Sequence, residues 1–307
     1  MTTLLLLAAI GLLLLSLTPR LPARPHALID LPSHFPVQYC AAAVLLAPLA
    51  LFFGAPVSAA IAACCFFITL HELRPLLPKG LVKSPDRQTL KILQVNVLKS
   101  NPVPGLLQKL ILDEKPDIVT CCEVNPDFAA MLQGLKNDYP HRLITAGTDS
   151  YRVALLSKLP FVKIEQTAFG GARTEAIVFR VELNGRIIDA VSLHPCTPNA
   201  NIKSRDSEFA AIADRFAAEK PERLMLIGDF NATPWCPAMK QLTRTLKLRN
   251  AREGRGINTT WPACLPFLFR IPIDHVLVST NLGVASFGAM QSIGSDHLPT
   301  QTVIYFK

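Results

Sequence analysis

Short polar segments, each at the end of an apolar run, hold the residues of this chain best suited to chemistry. The segments contain Asn96 in Gln-Val-Asn-Val, Glu123 in Cys-Cys-Glu-Val, Asp229 and Asn231 in Gly-Asp-Phe-Asn, and Asp296 and His297 in Ser-Asp-His. The apolar runs predict strands, so these side chains would project from strand ends into a common crevice, where α/β sheets build active sites. Carboxylate and amide oxygens are hard ligands that suit Mg²⁺ or Mn²⁺, and such ions help to activate water.

The Gly-Asp-Phe-Asn segment follows the apolar run 224–227, and its two polar side chains point the same way from an extended backbone. In that arrangement Asp229 can orient a water molecule while Asn231 holds a phosphate oxygen. An Asx-turn that caps the strand is the competing interpretation.

Acidic and histidine side chains lie at other predicted strand ends. Glu123 within an apolar strand is costly unless it is paired or binds a metal, and a structural salt bridge is the alternative. His297 can act near neutral pH if a carboxylate holds its tautomer, and Asp274 at the start of the preceding strand is the candidate. A solvent-exposed loop histidine is the alternative. His194 also ends a strand, directly before Pro195.

Apolar patterning after residue 89 predicts an α/β fold of two mixed sheets covered by helices, since strands outnumber helices and hairpins occur. The predicted strands are 90–97, 117–124, 141–147, 153–160, 176–183, 186–194, 223–229, 274–280 and 301–306, and the predicted helices are 103–114, 126–138, 202–219 and 236–248.

The chain before this domain is nearly free of charge and predicts a membrane segment over residues 1–74. Residues 2–18 predict a first span, with a cleaved signal peptide as the alternative. The uncharged stretch 37–70 would be about 50 Å long as one helix, and Gly54-Ala55-Pro56 breaks it. We therefore expect spans at about 37–53 and 56–72, with one long tilted helix as the alternative.

Residues 75–88 are rich in proline and glycine and predict a linker to a domain at 89–307. With three spans, the loop that holds Arg20 and Arg24 lies on the same side as the linker cations, which predicts a cytoplasmic domain. Two spans would reverse this sidedness. The eight cysteines show no zinc-ligand spacing and fit a reducing compartment.

The order of these motifs resembles the endonuclease/exonuclease/phosphatase superfamily over residues 89–307. The run Asn96-Val97-Leu98-Lys99-Ser100-Asn101 is similar to the start of membrane-anchored bacterial members. The resemblance implies a four-layer sandwich and a multi-pass protein of a bacterial inner membrane. It also implies divalent-metal-dependent hydrolysis of a phosphoester by in-line attack of water.

The resemblance also implies a role for each matching position. Glu123 and Asp296 would bind Mg²⁺ or Mn²⁺ with help from Asn96, which is also predicted as a substrate contact. Asp229 would orient or deprotonate water, and Asn231 and Thr260 would contact the phosphate. His194 and His297, the latter oriented by Asp274, would stabilise the charge of the phosphate.

The substrate is left open by the sequence. Six cations between residues 240 and 255 would suit a nucleic-acid backbone, anionic lipid headgroups or a solvated helix face. A phosphodiesterase or phosphatase acting near the bilayer is favoured, because anchoring hinders access to chromosomal DNA. A metal-dependent endo- or exonuclease is the enzymatic alternative, and an inactive membrane scaffold or binding module on the same fold is the alternative of another class. No protein partner is predicted.

Overall fold

The computed structural model describes residues 1–23, 26–80, 88–147 and 151–307. Part of the predicted linker, 81–87, lies outside the described residues, as do the cations Arg24, Lys83 and Arg87. The described chain forms an apolar helical segment followed by two mixed sheets with helices on their outer faces.

The strands are β1 (Thr89–Asn96), β2 (Ile118–Cys122), β3 (His141–Ile144), β4 (Val153–Ser157), β5 (Phe161–Thr167), β6 (Ala176–Leu183), β7 (Arg186–Leu193), β8 (Leu224–Asp229), β9 (Leu248–Asn250), β10 (Asp274–Ser279), β11 (Leu282–Ala289) and β12 (Thr300–Phe306). The helices are α1 (Thr2–Leu17), α2 (Ala27–Asp30), α3 (Pro36–Phe52), α4 (Pro56–Leu73), α5 (Pro104–Glu114), α6 (Pro126–Gly134), α7 (Pro198–Glu219) and α8 (Pro237–Thr245).

Each sheet contains one parallel pair of strands at its centre. The first sheet has the order β11-β12-β1-β2-β4-β3, with β1 and β2 parallel. The second has the order β5-β6-β7-β8-β10-β9, with β7 and β8 parallel. The other pairings are antiparallel, so β10 and β12 begin at the edge where β8 and β1 end. This edge therefore collects both strand ends and strand starts.

Period-two patterning builds the core between the sheets and also its polar end. On β1, Leu90 and Ile92 belong to the core cluster shared by the two sheets. Gln94 and Asn96 continue the same face of the strand, because alternate residues share a face. The same change from apolar to polar occurs along β8, where Met225 and Ile227 precede Asp229 on one face. Asp229 is buried although its side chain is polar.

The structure confirms the predicted two-sheet fold, all nine predicted strands and all four predicted helices of the domain. It adds β5, β9 and β11, which the pattern did not reveal. β5 is largely exposed and mixes charged with apolar residues, β9 has only three residues, and β11 contains two glycines and a bulge. Edge strands of this kind give weak apolar signals, because only one face or neither is buried.

Helices α1, α3 and α4 form an apolar bundle whose bounds lie close to the predicted spans. By length and hydropathy, Thr2–Arg20 and Pro56–Leu76 are candidate spans, and α3 becomes a third if it is taken with the preceding Leu28–His34, to which it is bent by 72°. The turn at 54–55 separates α3 from α4, and Pro56 occupies the first turn of α4, where its missing N–H costs nothing.

The bundle contacts the domain through polar groups at one end. Lys240 donates to Pro19 O at 2.8 Å and to Glu72 at 2.6 Å, and Trp235 Nε1 donates to Glu72 O. After α4, Lys79 N donates to Gly254 O at 2.9 Å, which extends this contact. The end of α1 and the end of α4 therefore lie on the domain side of the bundle.

Candidate active site

Asn96 joins two carboxylates at the shared edge of the sheets. Its Nδ2 donates to Glu123 Oε1 and to Asp229 Oδ2, each at 3.0 Å, and its Oδ1 accepts from Leu98 N. Glu123 has a positive φ of 58° and also accepts from Lys99 N at 3.2 Å. Asn96 thus orients the carboxylates of two different sheets, which brings the strand ends of β1, β2 and β8 together.

Asp229 and Asn231 lie close together after β8. Asn231 N donates to Asp229 Oδ1 at 2.8 Å, and Asn231 Nδ2 donates to Pro195 O at 2.9 Å. Gly228 is required beside them, since a Cβ at that position would lie 1.9 Å from Leu193 O of β7. The close approach of β7 and β8 therefore depends on a residue without a side chain.

His297 and Asp274 begin a buried chain of hydrogen bonds. His297 Nδ1 lies 2.9 Å from Asp274 Oδ2, Gln94 Nε2 donates to Asp274 Oδ1 at 2.9 Å, and Thr300 Oγ1 donates to Gln94 Oε1 at 2.9 Å. Asp274 accepts a hydrogen bond from the protonated Nδ1. The other ring nitrogen, Nε2, lies 3.6 Å from Asp229 Oδ2. Gln94 was not among the predicted site residues, although its place two residues before Asn96 on one strand face was a usable signal.

Burial and charge shift the pKa values of this group. Burial would lower the pKa of His297, but Asp274 and Asp229 raise it to about 10. Burial would raise the pKa of Asp274, but the His297 charge and the hydrogen bonds that Asp274 accepts hold it below the ordinary range. The pKa of Asp229 is raised because its carboxylate is buried. The Asp274–His297 pair is therefore ionic at neutral pH.

His194 lies between the two carboxylates that Asn96 joins. Its Nε2 is 3.6 Å from Asp229 Oδ2 and 3.8 Å from Glu123 Oε1. Among the described residues neither of its ring nitrogens has a hydrogen-bond partner, although both are buried. A buried polar group without a partner costs stability unless a ligand satisfies it, so this imidazole is suited to contact a bound group.

Glu123 and Asp296, the two carboxylates that the sequence predicts as metal ligands, both line the cavity. Asp296 Oδ2 accepts from Trp261 Nε1 at 3.0 Å, whereas its Oδ1 is buried with no partner among the described residues. Asp229, Asp274 and His297 are also close enough together to hold an ion, but hydrogen bonds already join the last two. The donor set fits a hard divalent cation.

Thr260 and its neighbour Trp261 differ in their position relative to the cavity. Thr260 is fully buried, outside the cavity lining, and its Oγ1 accepts from Ile273 N. Trp261 lines the cavity, and its Nε1 donates to Asp296 Oδ2. Thr260 therefore contacts the chain directly before the strand that begins at Asp274.

A cavity of about 390 Å³ lies over these groups, and part of its wall was not predicted. Its lining residues are Leu31, His34, Phe35, Glu123, Thr197, Pro198, Asp229, Asn231, Trp261, Ile271, Ile273, Asp296 and His297. The first three come from the segment between α1 and α3. Asp30 and His34, two polar residues close to the apolar Leu31 and Phe35, were the signal in the sequence.

A buried ion pair fastens this segment to the domain. Asp30 accepts two hydrogen bonds from Arg205, at 2.6 and 3.1 Å, and one from His34 Nε2 at 3.2 Å. Thr233 N donates to His34 Nδ1, so the Nε2 of this imidazole carries the proton. Asp30, His34 and Cys236 are close enough to hold a metal, but the guanidinium of Arg205 already supplies the positive charge there. Burial would raise the pKa of Asp30, yet His34 and Arg205 hold it below the ordinary range.

Two facing mixed sheets with carboxylates, amides and histidines at one edge define a phosphoesterase- or nuclease-like α/β sandwich. A profile described as the Endonuclease/Exonuclease/phosphatase family matches residues 93–297, and the chain belongs to that family. Members of the family hydrolyse phosphoester bonds and depend on a divalent metal. The resemblance seen in the sequence is thereby confirmed at the level of the family and of the fold.

Solved structures share the fold at low identity. An endonuclease/exonuclease/phosphatase from Bacteroides vulgatus has 17% identity and a TM-score of 0.61, covering 72% of this chain and 100% of that one. TDP2 from D. rerio, complexed with a single-strand DNA product, has 15% identity and a TM-score of 0.57 and covers 71% and 99%. The human Nocturnin catalytic domain with bound sulfate has 19% identity and a TM-score of 0.57 and covers 72% and 96%. No curated protein matches significantly.

Proposed function

We propose that this protein is a membrane-anchored, divalent-metal-dependent phosphoester hydrolase, a phosphodiesterase or phosphatase. The observation that carries the proposal is the convergence of Asn96, Glu123, Asp229 and the Asp274–His297 pair at one edge of a family-specific fold. These groups match the needs of water attack on phosphorus, namely a base, charge stabilisation and a cation.

The cation would be Mg²⁺ or Mn²⁺, held by Glu123 and Asp296 and supported by Asn96. When bound, it would neutralise the charge on the non-bridging phosphate oxygens. The partnerless Oδ1 of Asp296 and the position of both carboxylates on the cavity support this assignment.

The remaining groups would bind and orient the reacting atoms. Asp229 orients the attacking water and accepts its proton as the water oxygen bonds to phosphorus. The ester oxygen leaves with the electrons of the broken P–O bond and takes up a proton from solvent. Asn231 holds a phosphate oxygen, and His194 and His297 stabilise the charge that develops there. Asp274 is a positioning residue, which holds the tautomer and charge of His297.

The anchor would consist of α1, α3 and α4 in the inner membrane of a bacterium, with the domain in the cytoplasm. Arg20 and Arg74 lie at the helix ends on the domain side of the bundle, where cations favour the cytoplasmic face. Three crossings agree with the contacts of Pro19 and Glu72 on the same domain.

A nuclease has less support from the surface of the domain. Of the six cations between residues 240 and 255, Lys240 bonds Glu72, Arg249 bonds Leu282 O, Arg252 is fully buried, and Arg255 bonds Val284 O. These four side chains are used within the protein, so the stretch does not form a free basic track for a phosphate backbone.

The function is tested with the full-length chain in lipid nanodiscs and a panel of substrates with and without Mg²⁺. The panel contains a phosphodiester dye, a phosphomonoester, plasmid DNA, sphingomyelin and phosphoinositides. We expect Mg²⁺-dependent hydrolysis of at least one phosphoester, its loss in Asp229→Ala, and no change in the surface control Asp113→Ala. Activity that survives Asp229→Ala would contradict the proposal.

A further inference from the structure

The cavity over the candidate active site is lined by both polar and apolar side chains. The polar residues of the lining include Glu123, Asp229, Asp296 and His297, where the phosphate would bind. A second group of lining residues is apolar, namely Leu31, Phe35, Pro198, Trp261, Ile271 and Ile273. A pocket for inorganic phosphate or a small polar ester would not need this apolar wall, because apolar contacts gain free energy only by burying apolar surface.

The apolar wall reaches the residue directly before α3. Phe35 is the N-cap of α3, and Leu31 lies in the short turn just before it. Both side chains are partly exposed, at 37% and 38%. The Asp30–Arg205 pair and the His34–Thr233 contact hold this turn against the domain. The wall is therefore a built part of the pocket.

A loop beside α3 continues the apolar surface. Gln38 Nε2, in the first turn of α3, donates to Leu268 O at 2.8 Å. The same loop exposes Phe267 at 52% and Phe269 at 60%, and its end leads directly to Ile271 of the cavity. Exposed large apolar side chains in one loop mark a contact with an apolar phase or partner. The start of a candidate span beside them indicates the bilayer surface.

We propose that the substrate is an amphiphilic phosphoester, that is, a lipid whose apolar chain lies along Leu31, Phe35 and Ile271 while its phosphate reaches Asp229 and His297. This inference rests on the proposed phosphoester hydrolysis and adds the substrate class. The continuity from the catalytic carboxylates through the apolar wall to α3 would let such a lipid bind with its chain still near the bilayer.

The test uses a series of alkyl p-nitrophenyl phosphates from methyl to octyl, with the full-length chain in nanodiscs and Mg²⁺. Each methylene buried against the wall is worth about 0.8 kcal/mol, or roughly fourfold in kcat/KM. We expect kcat/KM to rise with chain length until the wall is covered. In Leu31→Ser and Phe35→Ser the octyl-to-methyl ratio should fall at least about tenfold, because several methylenes lose their contacts.

The control is Val162→Ser, an equally apolar and 55% exposed position on β5 outside the cavity lining, and its ratio should match that of the unmodified chain. Long esters also partition into the nanodisc, but this raises the rates of all variants alike. It therefore does not change the comparison of the octyl-to-methyl ratio between variants. A chain-length effect that survives in both wall variants, or no effect at all, would overturn the inference while leaving hydrolysis of the methyl ester intact. Faster cleavage of a single-stranded oligonucleotide than of the octyl ester would also overturn it. If no ester is hydrolysed, the result would instead contradict the proposed function.

Discussion

The ion pair between Asp30 and Arg205 is the contact that we expect to matter most for joining the apolar bundle to the domain. Arg205 is fully buried, and Asp30 is 3% exposed. The substitution Asp30→Asn removes the carboxylate and keeps the size of the side chain. It leaves the guanidinium buried opposite a neutral amide, so the desolvation cost of that charge is no longer offset by its main partner.

Removing one partner of a buried ion pair costs about 3–5 kcal/mol. Asp206 still contacts Arg205 Nη2 at 2.7 Å, which favours the lower end, about 3 kcal/mol. For a domain of this size, a melting temperature falls by roughly 2–4 °C per kcal/mol. We therefore expect Asp30→Asn to melt about 6–12 °C below the unmodified chain.

Tryptophan fluorescence during heating in detergent micelles is the appropriate assay, because Trp235 lies at the junction with the bundle and Trp261 lies in the cavity wall. The matched control is Asp113→Asn, which breaks an exposed pair with Lys109. Exposed pairs contribute about 0.2–1 kcal/mol, so this control should melt within a few degrees of the unmodified chain.

The variant Asp30→Asn/Arg205→Met removes the stranded charge together with its partner. We expect it to melt above Asp30→Asn, since replacing a buried pair by apolar groups is less costly than leaving one charge alone. Equal melting of Asp30→Asn and Asp113→Asn would refute the reasoning, and so would a double variant that melts at or below Asp30→Asn.

Three further outcomes are expected. Asp274→Asn should lower kcat for the phosphodiester dye by about 10²- to 10⁴-fold, because His297 loses the carboxylate that holds its tautomer. Burial raises the pKa of Glu208 to about 8, so the folded state holds this proton more tightly than the unfolded chain, and stability falls as pH rises from about 4.5 to 8. Thermal melting should therefore show Glu208→Gln to be more stable than the unmodified chain at pH 8 but not at pH 4.5. Gly228→Ala should abolish folded expression, since its Cβ would collide with Leu193 O.

Each of these predictions has a control in the same chain. Glu182 is exposed, so Glu182→Gln should melt close to the unmodified chain at pH 8. Gly105, in α5, has nothing within 4 Å of an added Cβ, so Gly105→Ala should express normally and gain a fraction of a kcal/mol of helix stability. Circular dichroism at 25 °C would separate a catalytic defect in Asp274→Asn from loss of fold. A kcat unaffected by Asp274→Asn would remove Asp274 from its proposed positioning role.

Much of the fold followed from local patterns. Leu90 and Ile92 alternate as a buried strand requires, and Gln94 and Asn96 continue that face into the site. Such alternation can be found in a sequence because each buried face demands apolar residues at every second position. The edge strand β11 contains two glycines and a bulge, so its sequence does not show this alternation, and the strand was not predicted.

The sequence by itself determined which residue types end the central strands, and hence the family, the two-sheet fold and the set of acidic, amide and histidine groups. Only the tertiary structure decided how these groups pair. It placed Asn96 between Glu123 and Asp229, and it brought the turn before α3 into the wall of the cavity. The physical reason is the separation of the interacting residues along the chain. Strand patterning depends on residues that are close neighbours in the sequence. The Asp30–Arg205 contact instead joins residues 175 positions apart, which nothing in their local sequence specifies.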